Sequence, residues 1–468
     1  MKTYYDGAKP RTWTLAICLC LATAGIAADF YVTPDGTGTS YTSWGTSGSN
    51  IATAANLASE GDTVWVSGGV YNLSETVTST KSLSIIGTNG TVVVDGGGTM
   101  QCFNFGGSTT GTVANLFITG GYALQGGGIY MYAGTVSDCV FSNNVAYEEK
   151  GYRGGGGVLI SGGTEITIRH CTFVDNYARY YGGGLYIQLN AGNVLVDNCT
   201  FHTNIADVRY AGLGDYDNGK GGAHTPTVIT GSVFTCNVAG SYGAGQINGI
   251  MTHSTVVSNV ALTGNGGGMR CTGLITDSLI SDNQAYTSGG GIYGGTIINS
   301  IIRRNQCQDP SSANYGGGGV YNPTLLQNCL IEDNSVAGNW GGGVFLSGGT
   351  VQGCLIKGNR SLQGSGGGIR RYTGEGMISS CTIVSNYSEG AGGGVYDNTL
   401  GSPGRYENNI IYFNTTGGLS LSNYFVHGEA TSTFTNCCLA PALSGSNAEN
   451  SANNITSDPL FFAQADDD

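Results

Sequence analysis

One pattern constrains this chain more than any other: an apolar residue, two further residues and then Asn, returning eleven times. It is written Phe141-x-x-Asn144, Phe173-x-x-Asn176, Phe201-x-x-Asn204 and Phe234-x-x-Asn237, and continues behind aliphatics at Asn259, Asn283, Asn305, Asn334, Asn359, Asn386 and Asn414. Successive Asn lie 32, 28, 33, 22, 24, 22, 29, 25, 27 and 28 residues apart. A second landmark, a glycine cluster running into an apolar residue, sits between them. It appears at Gly126 to Ile129, Gly154 to Val158, Gly182 to Leu185, Gly266 to Met269, Gly289 to Ile292, Gly316 to Val320, Gly341 to Val344, Gly366 to Ile369 and Gly392 to Val395. The two landmarks alternate from about residue 126 to 395.

A repeat of this length, with short β-rich runs, no helical period and a glycine corner, fits one coil of a parallel β-helix. Leucine-rich repeats have that length but need a Leu and helix signature that is missing, and the calcium β-roll repeats every nine residues on Asp. Composition closes off other classes. The chain has 82 Gly in 468 residues but no Gly at every third position, only 10% charged residues and 40% apolar ones, which argues against collagen, coiled coil and disordered linker alike. The expected fold is therefore all-β, a single-chain right-handed parallel β-helix of about 13 coils, a rod of roughly 60 to 70 Å at ~4.8 Å per coil.

Strand alternation assigns the side chains. In Cys139-Val140-Phe141, Cys171-Thr172-Phe173, Cys199-Thr200-Phe201 and Cys381-Thr382-Ile383 the first and third residues share a face, so Cys points inward with Phe or Ile. Cys329 and Cys354 occupy the same slot, and these thiols read as small apolar fillers. The repeated Asn falls at a turn where its amide can bond the identical amide one coil on. Before the repeats, Phe30 to Val32, Asp62 to Val66, Leu83 to Ile86 and Val92 to Asp95 read as strands, and Ile51 to Ser59 as a short helix that can cover the open sheet edge at the end of the rod. The domain reading is an export signal over 1–28, a strand and capping helix over 29–60, the β-helix over 61–435 and an irregular, incomplete segment over 436–468 that leaves a C-terminal anchor missing.

The Phe-x-x-Asn and Gly-Gly-Gly-Ile units resemble the repeats of the chlamydial polymorphic outer membrane proteins and of related β-helix surface proteins of environmental bacteria. The start, from Phe30-Tyr31-Val32-Thr33 through Gly61-Asp62-Thr63-Val64-Trp65-Val66 to Gly87, is similar to the opening coils of the pectate-lyase-like superfamily. The resemblance implies a right-handed β-helix exposed at a cell surface and associated with an outer membrane.

The first residues have the pattern of a secretory signal: Lys2, Lys9 and Arg11, an apolar run from Trp13 to Ala24, then Gly25, Ala27 and Ala28, with cleavage expected near Ala27 or Ala28. That run is short of the ~20 residues a membrane span requires, and no later stretch is longer. The net charge of −13 argues against nucleic acid as a partner class. No cofactor is expected, and no metal site, because no Cys-x-x-Cys pair or Cys/His spacing is present.

Two aromatic sets stand out. The residue after the inward apolar one faces out, and it is Tyr130, Tyr186, Tyr293, Tyr321, Phe345 and Tyr396, with Arg270 and Arg370 in the same register. A second group stands just before the glycines: Tyr152-Arg153, Arg179-Tyr180-Tyr181 and Arg209-Tyr210 on three consecutive coils. Flat rings interleaved with guanidinium donors suit sugars and acidic glycans, although Tyr also simply favours sheet faces. Glu148, Glu149 and Lys150 in one insertion, and Asp207, Asp215 and Asp217 in another, are the only dense charged cluster that could serve catalysis. The expected function is adhesion, display or glycan binding by an exported protein, with an extracellular polysaccharide or a neighbouring cell surface as partner. A lyase or glycoside hydrolase acting on an acidic polysaccharide is the alternative enzyme reading, and a structural spacer the third.

Overall fold

The structure, a computed structural model, describes residues 27–148, 154–188, 191–215, 227–309, 316–338, 340–398, 402–418, 420–427, 432–443 and 451–460. The expected export signal lies outside them. The described chain is a right-handed, all-β parallel solenoid of about twelve turns, close to the thirteen expected, with 3% helix.

One coil shows the rule for the rest. Its four strands are Val158–Ile160, Glu165–Arg169, Thr172–Val174 and Tyr177–Ala178. Each pairs in parallel with its counterpart one coil on, as Leu185–Ile187, Asn193–Asp197, Thr200–His202 and Ile205–Ala206. Alternation then stacks like on like. Inward residues of the third strand form a column of rings, Phe141, Phe173, Phe201 and Phe234, whose centroids are 4.9, 4.7 and 4.7 Å apart. Val256, Ile280, Ile302, Ile331, Ile356, Ile383 and Ile411 continue it, all fully buried. The fourth strands make a separate 12-stranded sheet whose inner positions are mostly Ala, which lets the rod close tightly on that side.

The glycine corner precedes each first strand. Gly266 holds φ +61, a conformation that side chains resist, and a Cβ on Gly268 would come within 2.7 Å of the Gly291 carbonyl oxygen on the next coil. Two coils write the corner differently, as Ala211-Gly212-Leu213 and Gly243-Ala244-Gly245, and keep it buried.

The Asn column forms as the repeat requires. Nδ2 of Asn144 donates to Oδ1 of Asn176 at 3.0 Å, and the same bond recurs rung by rung to Asn414, which donates to Asn423 at 3.1 Å. Each Oδ1 also accepts the backbone N–H of the preceding Asn, so every amide is satisfied inside the turn. The cysteine column is more than filler. Cys139, Cys171, Cys199, Cys329, Cys354 and Cys381 are buried free thiols, and each Sγ donates to the carbonyl two residues back, from 3.1 to 3.3 Å. Ser232, Ser254, Ser278 and Ser300 take the same slot and make the same bond, so thiol and hydroxyl are alternative plugs for one polar niche.

At the N-terminal end the helix spans Ile51–Leu57, with Asn50 accepting from the Thr53 N–H and Lys81 Nζ donating to the Asn56 carbonyl. Its Ile51, Ala52, Ala54 and Ala55 join the core and cover the first coils. Leu83 to Ile86 and Val92 to Asp95, read from sequence as two strands, are parts of one strand, Ser84–Asp95, bent at Asn89 and Gly90 where φ turns positive. Toward the C-terminal end, Thr435 bridges Ala452 and Cys438 bridges Ile455 in parallel, so the segment expected to be irregular begins one more turn.

Candidate functional site

The first strand of a coil presents its middle residue outward, and the residue just before a glycine corner reaches that position in its own coil, as Tyr181 meets Tyr186, or in the next, as Tyr242 meets Arg270. The two aromatic sets seen in the sequence therefore meet in one layer. Tyr181 lies against Tyr186 (centroids 5.6 Å) and Tyr210 (6.1 Å), and Tyr210 against Tyr242 (5.8 Å). Leu159, Tyr181, Tyr186 and Tyr210 are buried at its centre, and Tyr130, Tyr180, Val208 and Tyr242 pack around them half-buried. Burial pushes the Tyr210 hydroxyl pKa up to about 12, so it stays protonated.

Two guanidinium groups join this layer. Arg209 Cζ lies 5.2 Å from the Tyr242 centroid and 5.9 Å from that of Tyr181. Arg270 Cζ lies 5.0 Å from Tyr242, and its Nη1 donates to the Tyr210 hydroxyl at 3.3 Å. Further along, Tyr293, Tyr321 and Phe345 stack at 5.0 and 4.9 Å with their planes 15° and 8° apart. The column ends in a tighter group: Arg370 Cζ lies 3.2 Å from the Trp340 centroid and 4.2 Å from that of Tyr396.

This geometry changes what the rings can do. The coil spacing places them face to face, so along Tyr293, Tyr321 and Phe345 the flat surfaces expected to meet sugars meet one another instead. The outward register is not equivalent to exposure either: Tyr186, Phe345 and Arg370 face out and are nonetheless buried.

The other expected residues fall as follows. Tyr152, Arg153, Glu149, Lys150 and Asp217 lie outside the described residues. Arg179 is exposed, and Tyr180 and Arg209 are half-buried beside the tyrosine layer. Asp207 is exposed and accepts from the Tyr177 hydroxyl at 2.5 Å. Glu148 follows the fourth strand, whereas Asp215 ends a first strand at the inward position paired with Ile187. Alternation therefore turns the Asp215 carboxylate into the rod, and it does not add to an outer acidic cluster. Among the described residues no three His, Cys, Asp or Glu side chains come close enough to hold a metal ion.

Sequence reasoning passed over Tyr242 and Trp340, although both stand directly before a glycine as Tyr181 does. It also passed over an ion pair inside the rod. Ile369-Arg370-Arg371 puts Arg371 inward by period 2, and Asp397 holds the same position one coil on. Arg371 Nε donates to Asp397 Oδ1 at 2.5 Å; Nη1 and Nη2 donate to the Gly374 and Ser402 carbonyls. The other carboxylate oxygen accepts from Tyr406 at 2.9 Å and Ser432 at 2.6 Å. This group lies within the core and offers no surface to a ligand.

The architecture defines a right-handed β-helix protein. Residues 101–273 match the right handed beta helix region family, and residues 277–295 match the Chlamydia polymorphic membrane protein repeat. No curated protein sequence matches the chain. Among solved structures it is similar to a mannuronic acid specific polysaccharide family 6 lyase from human gut microbiota, at 12% identity over 86% of this chain and 91% of that one, with a TM-score of 0.40. The Dettilon tailspike protein is 12% identical over 85% of this chain and 68% of that one, TM-score 0.37. The catalytic unit of a GH87 alpha-1,3-glucanase from Streptomyces thermodiastaticus is 14% identical over 78% and 66%, TM-score 0.36. At these scores none of the three bears on what this chain binds or does. No helix among the described residues is long and apolar enough to cross a membrane.

Proposed function

We propose that the protein is an exported, cell-surface or outer-membrane-associated β-helix that works by binding, with glycans as its ligand class. The supporting observation is the half-buried tyrosine and arginine layer around Tyr130, Tyr180, Arg209, Tyr242 and Arg270, which spans several coils on one side of the rod. A closed core does not need guanidinium groups on its outer face, whereas an extended polysaccharide gains affinity from weak contacts repeated along a regular track. The ring edges and hydroxyls, rather than the ring faces, meet such a ligand, because stacking between coils occupies the faces.

The test is a glycan array probed with the chain lacking residues 1–28, with lyase and hydrolase assays on the same panel. Retention of acidic glycans without turnover is the expected result. Cleavage of a retained glycan would replace this reading with the enzymatic one, and no retention at all would leave the rod as a spacer.

A further inference from the structure

Within that layer Arg270 holds a position that the folding of the rod leaves unexplained. It sits at the middle of the first strand Met269–Cys271 and points outward, half-buried. Its contacts include the Tyr210 hydroxyl and the ring of Tyr242, and Arg209 lies over that same ring. Two guanidinium groups thus converge on one tyrosine. Among the described residues Arg270 makes no ion pair. The Tyr210 hydroxyl, with its pKa raised by burial, supplies no negative charge either. Among the described residues, a chain of net charge −13 thus sets a cation without an acidic partner on a face where rings are also gathered.

We propose that Arg270, supported by Arg209 and Tyr242, is the subsite that receives the carboxylate of a uronic acid residue in a linear glycan lying along the rod axis. This deepens the glycan-binding reading and rests on it. A carboxylate matches the planar fork of a guanidinium, and Tyr210 and Tyr242 hold that fork in place so that little side-chain freedom is lost on binding. The apolar edges of Tyr242 and of Tyr293, the next residue in the outward register, suit the C–H faces of the sugar. The ~4.8 Å rise per coil is close to the advance of one hexose unit in an extended chain, so neighbouring sugars meet equivalent positions on neighbouring coils.

The experiment titrates the protein with oligouronates, with neutral oligosaccharides of the same length and linkage, and with their sulfate esters, at low and high salt. Three variants are compared: Arg270→Ala, Arg270→Lys, and Arg304→Ala, which removes an exposed arginine paired with Asp282 at a different corner of the coil. Thermal melts check that all three remain folded. The expected result is binding of oligouronates that weakens with salt, a loss of about tenfold or more in Arg270→Ala, little recovery in Arg270→Lys because the ammonium lacks the fork, and parent affinity in Arg304→Ala. Parent affinity for oligouronates in Arg270→Ala overturns the proposal, as does an equal loss for neutral and acidic ligands. Tighter binding of the sulfate esters overturns the carboxylate assignment. Failure of the parent to bind any of these ligands overturns the glycan reading itself, before Arg270 is at issue.

Discussion

Arg270 and Arg370 occupy the same register four coils apart, each in the middle of a first strand and each against aromatic rings, yet they do different work. Around Arg270 the layer is half open: the guanidinium shares Tyr242 with Arg209 and bonds a hydroxyl. Around Arg370 it is closed. Trp340 and Tyr396 both pack against the guanidinium, Nε and Nη1 meet no acceptor, and burial pushes its pKa down to about 10. The inner neighbours differ as well. Beside Arg270 lies the thiol of Cys271; beside Arg370 lies Arg371, tied to Asp397 within the core. An outward position on a β-helix is therefore left half open or closed off according to the aromatic side chains that reach it from the neighbouring coils.

The largest expected effect lies in the closed region. Asp397→Ala leaves Arg371 buried without its partner, and urea denaturation should show a loss of about 3 to 5 kcal/mol. Replacing both members by apolar residues of similar size should recover most of it, since neither charge is then left alone. A loss below about 1 kcal/mol in the single variant would show that the pair does not hold this end of the rod.

The open region should instead betray itself in alkali. Burial raises the Cys271 thiol from an ordinary value of 9.0 to about 12. Below pH 9 the thiol is neutral whether the chain is folded or not, and its contribution to stability is fully present. Between pH 9 and about 12 only the unfolded thiol ionises, so stability falls by about 1.4 kcal/mol per pH unit from this group. Urea denaturation at pH 8 and pH 11 should show a drop smaller by about 3 kcal/mol in Cys271→Ala than in the parent. Equal drops would mean that the thiol is open to solvent.

Smallest is the contrast in stability between the two arginines themselves. Arg370→Leu exchanges an uncompensated buried cation for an apolar side chain and should change stability by less than about 1 kcal/mol, in either direction. Arg270→Leu should be equally mild for stability but should weaken acidic-ligand binding about tenfold or more, which Arg370→Leu should leave intact. Reversal of these binding effects would mean that the closed cluster is the site.

Much of this fold was legible because a solenoid repeats its demands. Every coil needs an amide at the turn and no Cβ at the corner, so Asn144 to Asn414 and the glycine clusters write the architecture eleven and nine times over. The hydrogen-bonding role of the cysteine column was legible only in part: Cys alone looks like filler, and the meaning appears when Ser232 to Ser300 are seen in the same niche. The site was less legible. Sequence spacing placed Tyr181 and Tyr186 in two separate sets, and their meeting and mutual burial depend on how the pre-glycine residue folds over, which no local pattern encodes. Arg371 and Asp397 were readable in principle from strand alternation, since a charged residue at an inward position requires a partner one coil away.

The most direct test of the binding face is hydroxyl-radical footprinting of the tyrosines, with and without a soluble polyuronate. The half-buried Tyr130, Tyr180 and Tyr242 should become protected, whereas Tyr122 and Tyr286, which are 38% and 43% exposed on the fourth-strand side, should react as before. Protection of Tyr122 and Tyr286 with Tyr130, Tyr180 and Tyr242 unchanged would contradict the account and move the ligand to the opposite sheet.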